Sequence, residues 1–568
     1  YIFWLSTKKL FRRFVDNLLF VIGQDFDDRN AHRALIKKFR HRTEFATGGV
    51  PQVIIGLKDE IPDNAHGTWQ ASWSLVVSSE APRHCGLWCY AFAMAGVQGM
   101  DGQTVGNEGT PRPGLKISLE CSDLDRDGKG IARWNGWVVV VDDFLPGEKA
   151  EVQLQQRQRS RWLARRGELT HSSDDRRRPP CILAADCGGC TLQSLTESAQ
   201  NTWKVSSLQQ TLLRIGGIEH SPLPLLQDVG RAFGYRNRAF IPLKREGDGR
   251  LRAGYYRPRT HRIVNLNHCP VLDPRLDQLI EPIKQDLDST GWAADHDLIH
   301  AKGLRHLGLR LGHHSGEVLI TLISSHDRYP GLLELAEDWM DRWEMVKGVC
   351  LNLQPKPNNL VLGPETLLVA GSETIAEEFC GIHLQLNSNT FFQINTPQAE
   401  RIVNVLCDWL KTEIGEGTVV DAYCGIGTIS LPLAALGFDV IGLELHQGSV
   451  DQALLNAMRN NLSDQCRFRA GDVVDLLEAA LVGADALVLD PPRRGLDARV
   501  VQTILDTPPQ RLAYLSCDPA TQARDLKMLT EPDGPYRLKK HQPVDFFPQT
   551  THLESLALLE RVSSEAQL

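Results

Sequence analysis

Apolar and polar positions alternate from Leu115 onward. Leu115, Ile117 and Leu119 are separated by Lys116 and Ser118, a period of two that predicts a strand. The segment Asp125-Arg126-Asp127-Gly128-Lys129-Gly130 reads as a turn, and Ile131-Ala132-Arg133 leads into Asn135-Gly136, a hairpin signal. The run Trp137-Val138-Val139-Val140-Val141 is a second strand, closed by the turn Leu145-Pro146-Gly147-Glu148, and Val152-Gln153-Leu154 opens the next. Short strands at this spacing predict a small OB-like β-barrel over residues 113–172.

Near residue 385 the period lengthens. Gln398 to Leu410 is helical in pattern, and apolar runs follow at Thr418–Val420, Asp439–Leu443, Ala486–Leu489 and Arg511–Leu515 with helical stretches between them. This predicts an open, mostly parallel, Rossmann-like α/β domain over residues 385–568. Residues 173–384 read as a central α+β domain. Residues 1–112 carry no readable pattern beyond an amphipathic or core helix at Leu10 to Ile22 and a Gly/Pro-rich linker at Met100 to Gly114. They are left as an unassigned extension.

The 568 residues are 42% hydrophobic and 23% charged, which excludes a disordered, collagen-like or coiled-coil chain. With 62 basic and 70 acidic residues the formal charge is −8, so a wholly basic nucleic-acid coat is excluded while local basic patches are not. Thirteen scattered cysteines do not make a secreted disulfide scaffold. The start carries Lys8, Lys9, Arg12 and Arg13, unlike a signal peptide, and no long apolar run is free of charge. A cytoplasmic protein with no membrane partner is expected.

Two local patches stand out. Between Glu151 and Pro180 lie Arg157, Arg159, Arg161, Arg165, Arg166, Arg176, Arg177 and Arg178. These form either a solvated face or a nucleic-acid contact beside the barrel. From Arg231 to Arg262, ten Lys or Arg face only Glu246 and Asp248, with Phe233, Tyr235, Phe240, Tyr255 and Tyr256 interleaved. Cations neutralise phosphates and aromatic faces stack on unpaired bases; alternatively the aromatics are the core of a twisted antiparallel sheet.

Four motifs carry chemistry. Asp421-Ala422-Tyr423-Cys424-Gly425-Ile426-Gly427-Thr428 follows a strand and precedes a helix, and Glu444 closes the next strand. Glycines there let a ligand approach the backbone, and a carboxylate can hold ribose hydroxyls. The acidic Asp421 disfavours a pyrophosphate and suits a cationic ligand such as S-adenosylmethionine. Leu489-Asp490-Pro491-Pro492-Arg493-Arg494-Gly495 leaves the carboxyl edge of the sheet and places Asp490 at its mouth. Cys517, in Tyr514-Leu515-Ser516-Cys517-Asp518-Pro519, ends the next strand as a candidate nucleophile, with Cys424 as its rival. Finally, Cys181, Cys187 and Cys190 cluster, with Cys269 downstream before Pro270. Four thiolates at this spacing suit zinc or a [4Fe–4S] cluster.

Taken together, residues 113–568 resemble the RNA uracil-C5 methyltransferase family, in its iron–sulfur-containing 23S ribosomal RNA branch. The resemblance implies that the barrel is a TRAM domain and that Cys181, Cys187, Cys190 and Cys269 hold a [4Fe–4S] cluster. It identifies Phe391-Phe392-Gln393-Ile394-Asn395 as the start of the transferase domain. It places S-adenosylmethionine contacts on Gln393, Tyr423, Thr428, Glu444, Asp472 and Asp490. Tyr423 stands where other members have Phe, and Thr428 and Asp472 where some have Asn. It places the nucleophile on Cys517 and the general base on Glu554, within Thr551-His552-Leu553-Glu554. A monomeric enzyme of ribosomal RNA processing is expected. The alternatives are a transfer-RNA uracil-C5 methyltransferase and a non-catalytic iron–sulfur RNA-binding protein.

Overall fold

A computed structural model of the chain describes residues 110–226 and 232–562, together with three short strands nearer the start. The helix expected at Leu10 to Ile22 and most of the expected linker lie outside the described residues. The chain divides into two compact units, Tyr1–Gly106 and Asn107–Leu568. In the first, Ile2–Phe3 pairs antiparallel with Val53–Ile55, which pairs with Leu75–Val76.

The second unit opens with a six-stranded sheet that includes Lys116–Glu120, Gly130–Trp134, Trp137–Val141, Lys149–Gln158 and Arg161–His171. Its alternation is visible in Lys149–Gln158, where Ala150, Val152 and Leu154 are buried and their neighbours exposed. Asn135 and Gly136 both have positive φ, 47° and 80°, which matches the twist of the flanking strands. One parallel pair, Trp137–Val141 with Arg161–His171, interrupts the antiparallel meander the turns predict.

A seven-stranded sheet follows. Its basic edge, Arg238–Arg245, Leu251–Tyr256 and Ile263–Asn265, is antiparallel, as the twisted-sheet reading of the second basic stretch anticipates. The arginines of the two basic stretches divide between internal structural contacts and exposed positions. Arg238 donates to the carbonyls of Ser388 and Thr390, and Arg245 to those of Leu287, Trp292 and Gly249. Arg176 pairs with buried Glu148, and Arg177 bonds Gln193, Glu197 and Gln549. Arg157, Arg159, Arg161, Arg165, Arg257, Arg259 and Arg262 remain exposed.

The last sheet is doubly wound. Five parallel strands run in the order Cys466–Ala470, Asp439–Glu444, Thr418–Ala422, Ala486–Leu489 and Arg511–Ser516. Glu554–Arg561 and then Tyr536–Val544 extend it antiparallel. The hairpin Thr374–Phe379 and Ile382–Asn387 packs into the same apolar core, so residue 384 falls within a strand. No helix among the described residues is long and apolar enough to cross a membrane.

One buried ion pair joins early and late chain. Lys204, on the helix Glu197–Thr211, donates to Asp545 at 2.7 Å, and both are buried. Removing one partner strands the other charge in the interior. Lys204→Met should therefore lower unfolding free energy by about 3–5 kcal/mol in chemical denaturation. Lys116→Met, at an exposed pair with Glu151, should leave the midpoint where it was.

Candidate active site

Strand register assembles the site. Ala422 pairs with Leu443 on one side and Leu489 on the other. One step further along all three strands lie Tyr423, Glu444 and Asp490, side by side at the carboxyl edge. Ser516 pairs with Ser555 in the antiparallel ladder, so the next opposed position sets Cys517 against Glu554. Val544 flanks Glu554 from the other side.

The glycine turn is shaped to leave room above itself. Tyr423 has φ 71°, and its N–H and that of Cys424 both donate to the Leu443 carbonyl, at 2.8 and 3.0 Å. Gly425 donates its N–H to Glu444 Oε2 at 3.2 Å, and a side chain at Gly425 would meet nothing within 4 Å. Cys424 points the other way, 4% exposed and pressed against Gly442. Cys517 is half-buried and faces Asp490, Glu554 and Arg493. Of the two rival thiols, Cys517 is the one beside Glu554 and Asp490, whereas Cys424 lies near Asp421 and Glu444.

The charges around this crevice are out of balance. Burial pushes Asp421 up to about 7, against a 2.5 Å hydrogen bond from Ser430 Oγ, and its Oδ1 has no partner. Burial also pushes Asp490 up to about 7. Glu554 is held well above the usual carboxylate range by burial and then by Asp490, with Arg493 opposing. Burial, then Glu554 and Asp490, lift the Cys517 thiol to about 11, again with Arg493 opposing. Three crowded acids opposed by one cation, Arg493, fit a ligand that brings a fixed positive charge.

The other expected residues fall into place unevenly. Thr428 is half-buried between the turn and the helix Ser430–Ala435. Asp472 caps the helix Val473–Leu481, accepting from Val474 N at 3.0 Å, so its carboxylate is engaged by its own helix. It still lies close enough to Tyr423 to help burial raise that phenol to about 12. Gln393 gives its carbonyl to Asn237, while Asn395 donates to the Phe546 carbonyl, two residues past Val544.

Two further residues, Arg493 and Arg126, bear on the site. Arg493, in the Pro491-Pro492 loop, is the cation nearest both Cys517 and Glu554 among those that shift them. Arg126 reaches in from the small β sheet. Its guanidinium lies 3.5 Å from Asp518 Oδ1, and its carbonyl accepts from Thr551 Oγ1 at 2.5 Å. Arg126 thus touches the residue after Cys517 and the segment before Glu554.

The four cysteines converge elsewhere. Cys181, Cys187, Cys190 and Cys269 line one cavity of about 580 Å³, with Arg236 and Tyr255 on its wall. Burial, then Cys190, pushes Cys269 up to about 12, and it raises Cys187 and Cys190 too. Among the described residues, no three His, Cys, Asp or Glu side chains are gathered tightly enough to hold a single metal ion.

Comparison with known proteins agrees with this geometry. A family model described as tRNA (Uracil-5-)-methyltransferase matches residues 365–562. An uncharacterized RNA methyltransferase of Parasynechococcus marenigrum is 63% identical over 80% of this chain and 97% of its own. Another, from Thermosynechococcus vestitus, is 42% identical over 78% and 98%. The crystal structure of Pyrococcus abyssi tRNA (uracil-54, C5)-methyltransferase in complex with S-adenosyl-L-homocysteine superposes with a TM-score of 0.63. It is 26% identical, covering 78% of this chain and 99% of that one. The fold and acidic crevice define an S-adenosylmethionine-dependent methyltransferase. The chain belongs to the RNA uracil-C5 methyltransferase family.

The raised carboxyls predict how the methyl donor binds. Asp421 and Asp490 are half-protonated near pH 7 in the free protein, and a sulfonium favours their ionised forms. Binding of S-adenosylmethionine should release protons, and affinity should rise roughly tenfold between about pH 6 and pH 8 per such carboxyl. The uncharged sulfide of S-adenosylhomocysteine should release fewer. Titration calorimetry in buffers of different ionisation heat measures both; equal proton release by the two ligands would contradict this electrostatic reading.

Proposed function

We propose that the protein methylates carbon 5 of a specific uridine in 23S ribosomal RNA, with Cys517 as nucleophile and Glu554 as general base. The observation that carries this is the register that sets Cys517 opposite Glu554, beside Asp490. Gln393, Tyr423, Thr428, Glu444, Asp472 and Asp490 line the place of the methyl donor. Bound S-adenosylmethionine supplies a methyl group on a positively charged sulfur.

Carbon 5 of uracil is a poor nucleophile until carbon 6 is attacked. Cys517, as a thiolate, forms a bond to carbon 6, and the ring double bond's electrons shift toward the carbonyl as an enolate. Carbon 5 then takes the methyl group while the methyl–sulfonium bond breaks, its electron pair staying on sulfur. Glu554 accepts the carbon-5 proton, the carbon 5–carbon 6 double bond re-forms, and Cys517 leaves as thiolate. Because the resting thiol sits at about 11 even with Arg493 beside it, its ionisation needs the further positive charge of the bound donor. The uracil must leave its stack, at a cost on the order of a few kcal/mol. The exposed arginines of 113–172 and 173–384 offset that through phosphate contacts.

The cysteine cavity is assigned to a [4Fe–4S] cluster because four thiols from two segments line it, the ligand set such a cluster takes. Such a group cross-links Cys269 to the segment that holds the other three.

One observation favours transfer RNA as substrate. The similar Pyrococcus protein is named as a tRNA enzyme and matches almost its whole length, so the added β sheet does not by itself indicate ribosomal RNA. Methylation of isolated tRNA against protein-free 23S RNA decides between them.

Two tests follow from the chemistry. Cys517→Ala should form no covalent RNA adduct and transfer no methyl, whereas Glu554→Gln should transfer methyl and then stall. The stalled complex, resolving roughly 10²–10⁴-fold more slowly, should collect on a denaturing gel; a Glu554→Gln enzyme that turns over normally would exclude Glu554 as base. Anaerobically purified protein should be brown, and Cys187→Ser should lower both iron content and the unfolding midpoint. A colourless protein with one zinc per chain would overturn the iron assignment.

A further inference from the structure

Five residues before Glu554, the chain makes a turn that nothing in the chemistry above uses. Gln549 is fully buried and has φ 69°, a left-handed backbone that is uncommon outside glycine. Such strain persists only where the surroundings over-determine it. Here they do. The Gln549 carbonyl accepts from the N–H groups of Thr191 and Leu192, both at 3.0 Å. Its own N–H donates to Gln200 Oε1 at 3.1 Å. Its side-chain Oε1 accepts from Arg177 Nη2 at 2.9 Å and from Gln200 Nε2 at 3.0 Å. Both partners of Oε1 are donors, so the amide cannot be flipped without placing donors against donors. Its Nε2 has no partner among the described residues, a cost that this orientation imposes.

Every one of these partners comes from the segment between Arg177 and Gln200. Thr191 follows Cys190 directly. Gly128, in the turn that carries Arg126, lies so close to Thr191 that an added Cβ would approach it to 2.9 Å. The neighbours of Gln549 are held from two other parts of the chain: Tyr235 donates to the Pro548 carbonyl and Thr551 to the Arg126 carbonyl. The loop from Phe547 to Leu553 has one turn of its own, in which the Thr550 N–H and hydroxyl donate to the Phe547 carbonyl, and its Gln549 corner is anchored to the cysteine segment. It ends at Glu554.

We infer that Gln549 is a positioning residue for the elimination step, holding the loop before Glu554 to the cysteine segment so that the carboxylate meets the carbon-5 proton. The inference rests on the reading of Glu554 as the base. It bears chiefly on one step. Cys517 is held by its own strand and by the helix Pro519–Leu529, whose cap is Asp518. The Gln549 loop runs directly into Glu554 but reaches the Cys517 side only through Arg126, which bridges Thr551 and Asp518, so its larger effect falls on proton removal.

The test separates the two steps in single-turnover reactions with RNA and labelled S-adenosylmethionine. Gln549→Gly accepts the positive φ but loses both side-chain hydrogen bonds. Arg177→Ala removes one of them from the other side. Both should form the methylated adduct near the wild-type rate and resolve it roughly 10–100-fold more slowly, the scale of a small misplacement of a catalytic group. Gln549→Asn, which tolerates the same backbone, should resolve it faster than Gln549→Gly. If formation and resolution fall together, or if resolution is unchanged in both variants, the positioning role is wrong. Glu554→Gln run alongside distinguishes the two claims. Normal resolution there would sink the base assignment itself; trapping there with normal resolution in the Gln549 variants would sink only the role of Gln549.

Discussion

The antiparallel pairing of Arg511–Ser516 with Glu554–Arg561 is the constraint on which the site depends. A parallel sheet alone delivers residues to one edge, each from its own strand. That explains Tyr423, Glu444 and Asp490, but not Glu554, which opens an antiparallel strand. Reversing the final strand brings a residue from the chain's last segment to the same edge, pointing into the crevice from its start rather than its end. Because register is fixed along the whole ladder by buried side chains such as Leu512, Ala513, Leu556 and Leu558, the opposition of Cys517 and Glu554 cannot drift without turning the core outward.

Electrostatics then assigns the partners. Asp421, Asp490 and Glu554 are crowded into a buried edge where ionisation is disfavoured, and Arg493 is the cation that opposes this at Glu554 and Cys517. The site is thus incomplete without a positive ligand. The same imbalance raises the Cys517 thiol. Removing water from around the acids strengthens each of these interactions.

How much of this is legible in the chain depends on the range of the contact. The apolar runs at Thr418–Val420, Asp439–Leu443, Ala486–Leu489 and Arg511–Leu515 match observed strands because each is buried on both faces. Cys466–Ala470 escapes notice because it is an edge strand interrupted by Arg467 and Arg469. Glu554–Arg561 escapes because Leu, Ala and Glu favour helix locally, and only pairing with Arg511–Ser516 makes it a strand. Cys517 and Glu554 could be named from motifs, whereas their opposition is a product of that pairing. Arg126 and Gln549 carry no motif at all. Their partners lie hundreds of residues away, and no local pattern reports such a contact.

A single trapping reaction tests the central claim most directly. RNA carrying 5-fluorouridine at the target position accepts attack at carbon 6 and methylation at carbon 5, but fluorine cannot leave as a proton, so the adduct persists. Peptide mapping of the trapped complex by mass spectrometry locates the bond. The account predicts a methylated, fluorinated nucleotide on the peptide containing Cys517. A nucleotide on the peptide containing Cys424, or methyl transfer with no covalent bond to any cysteine, would contradict it.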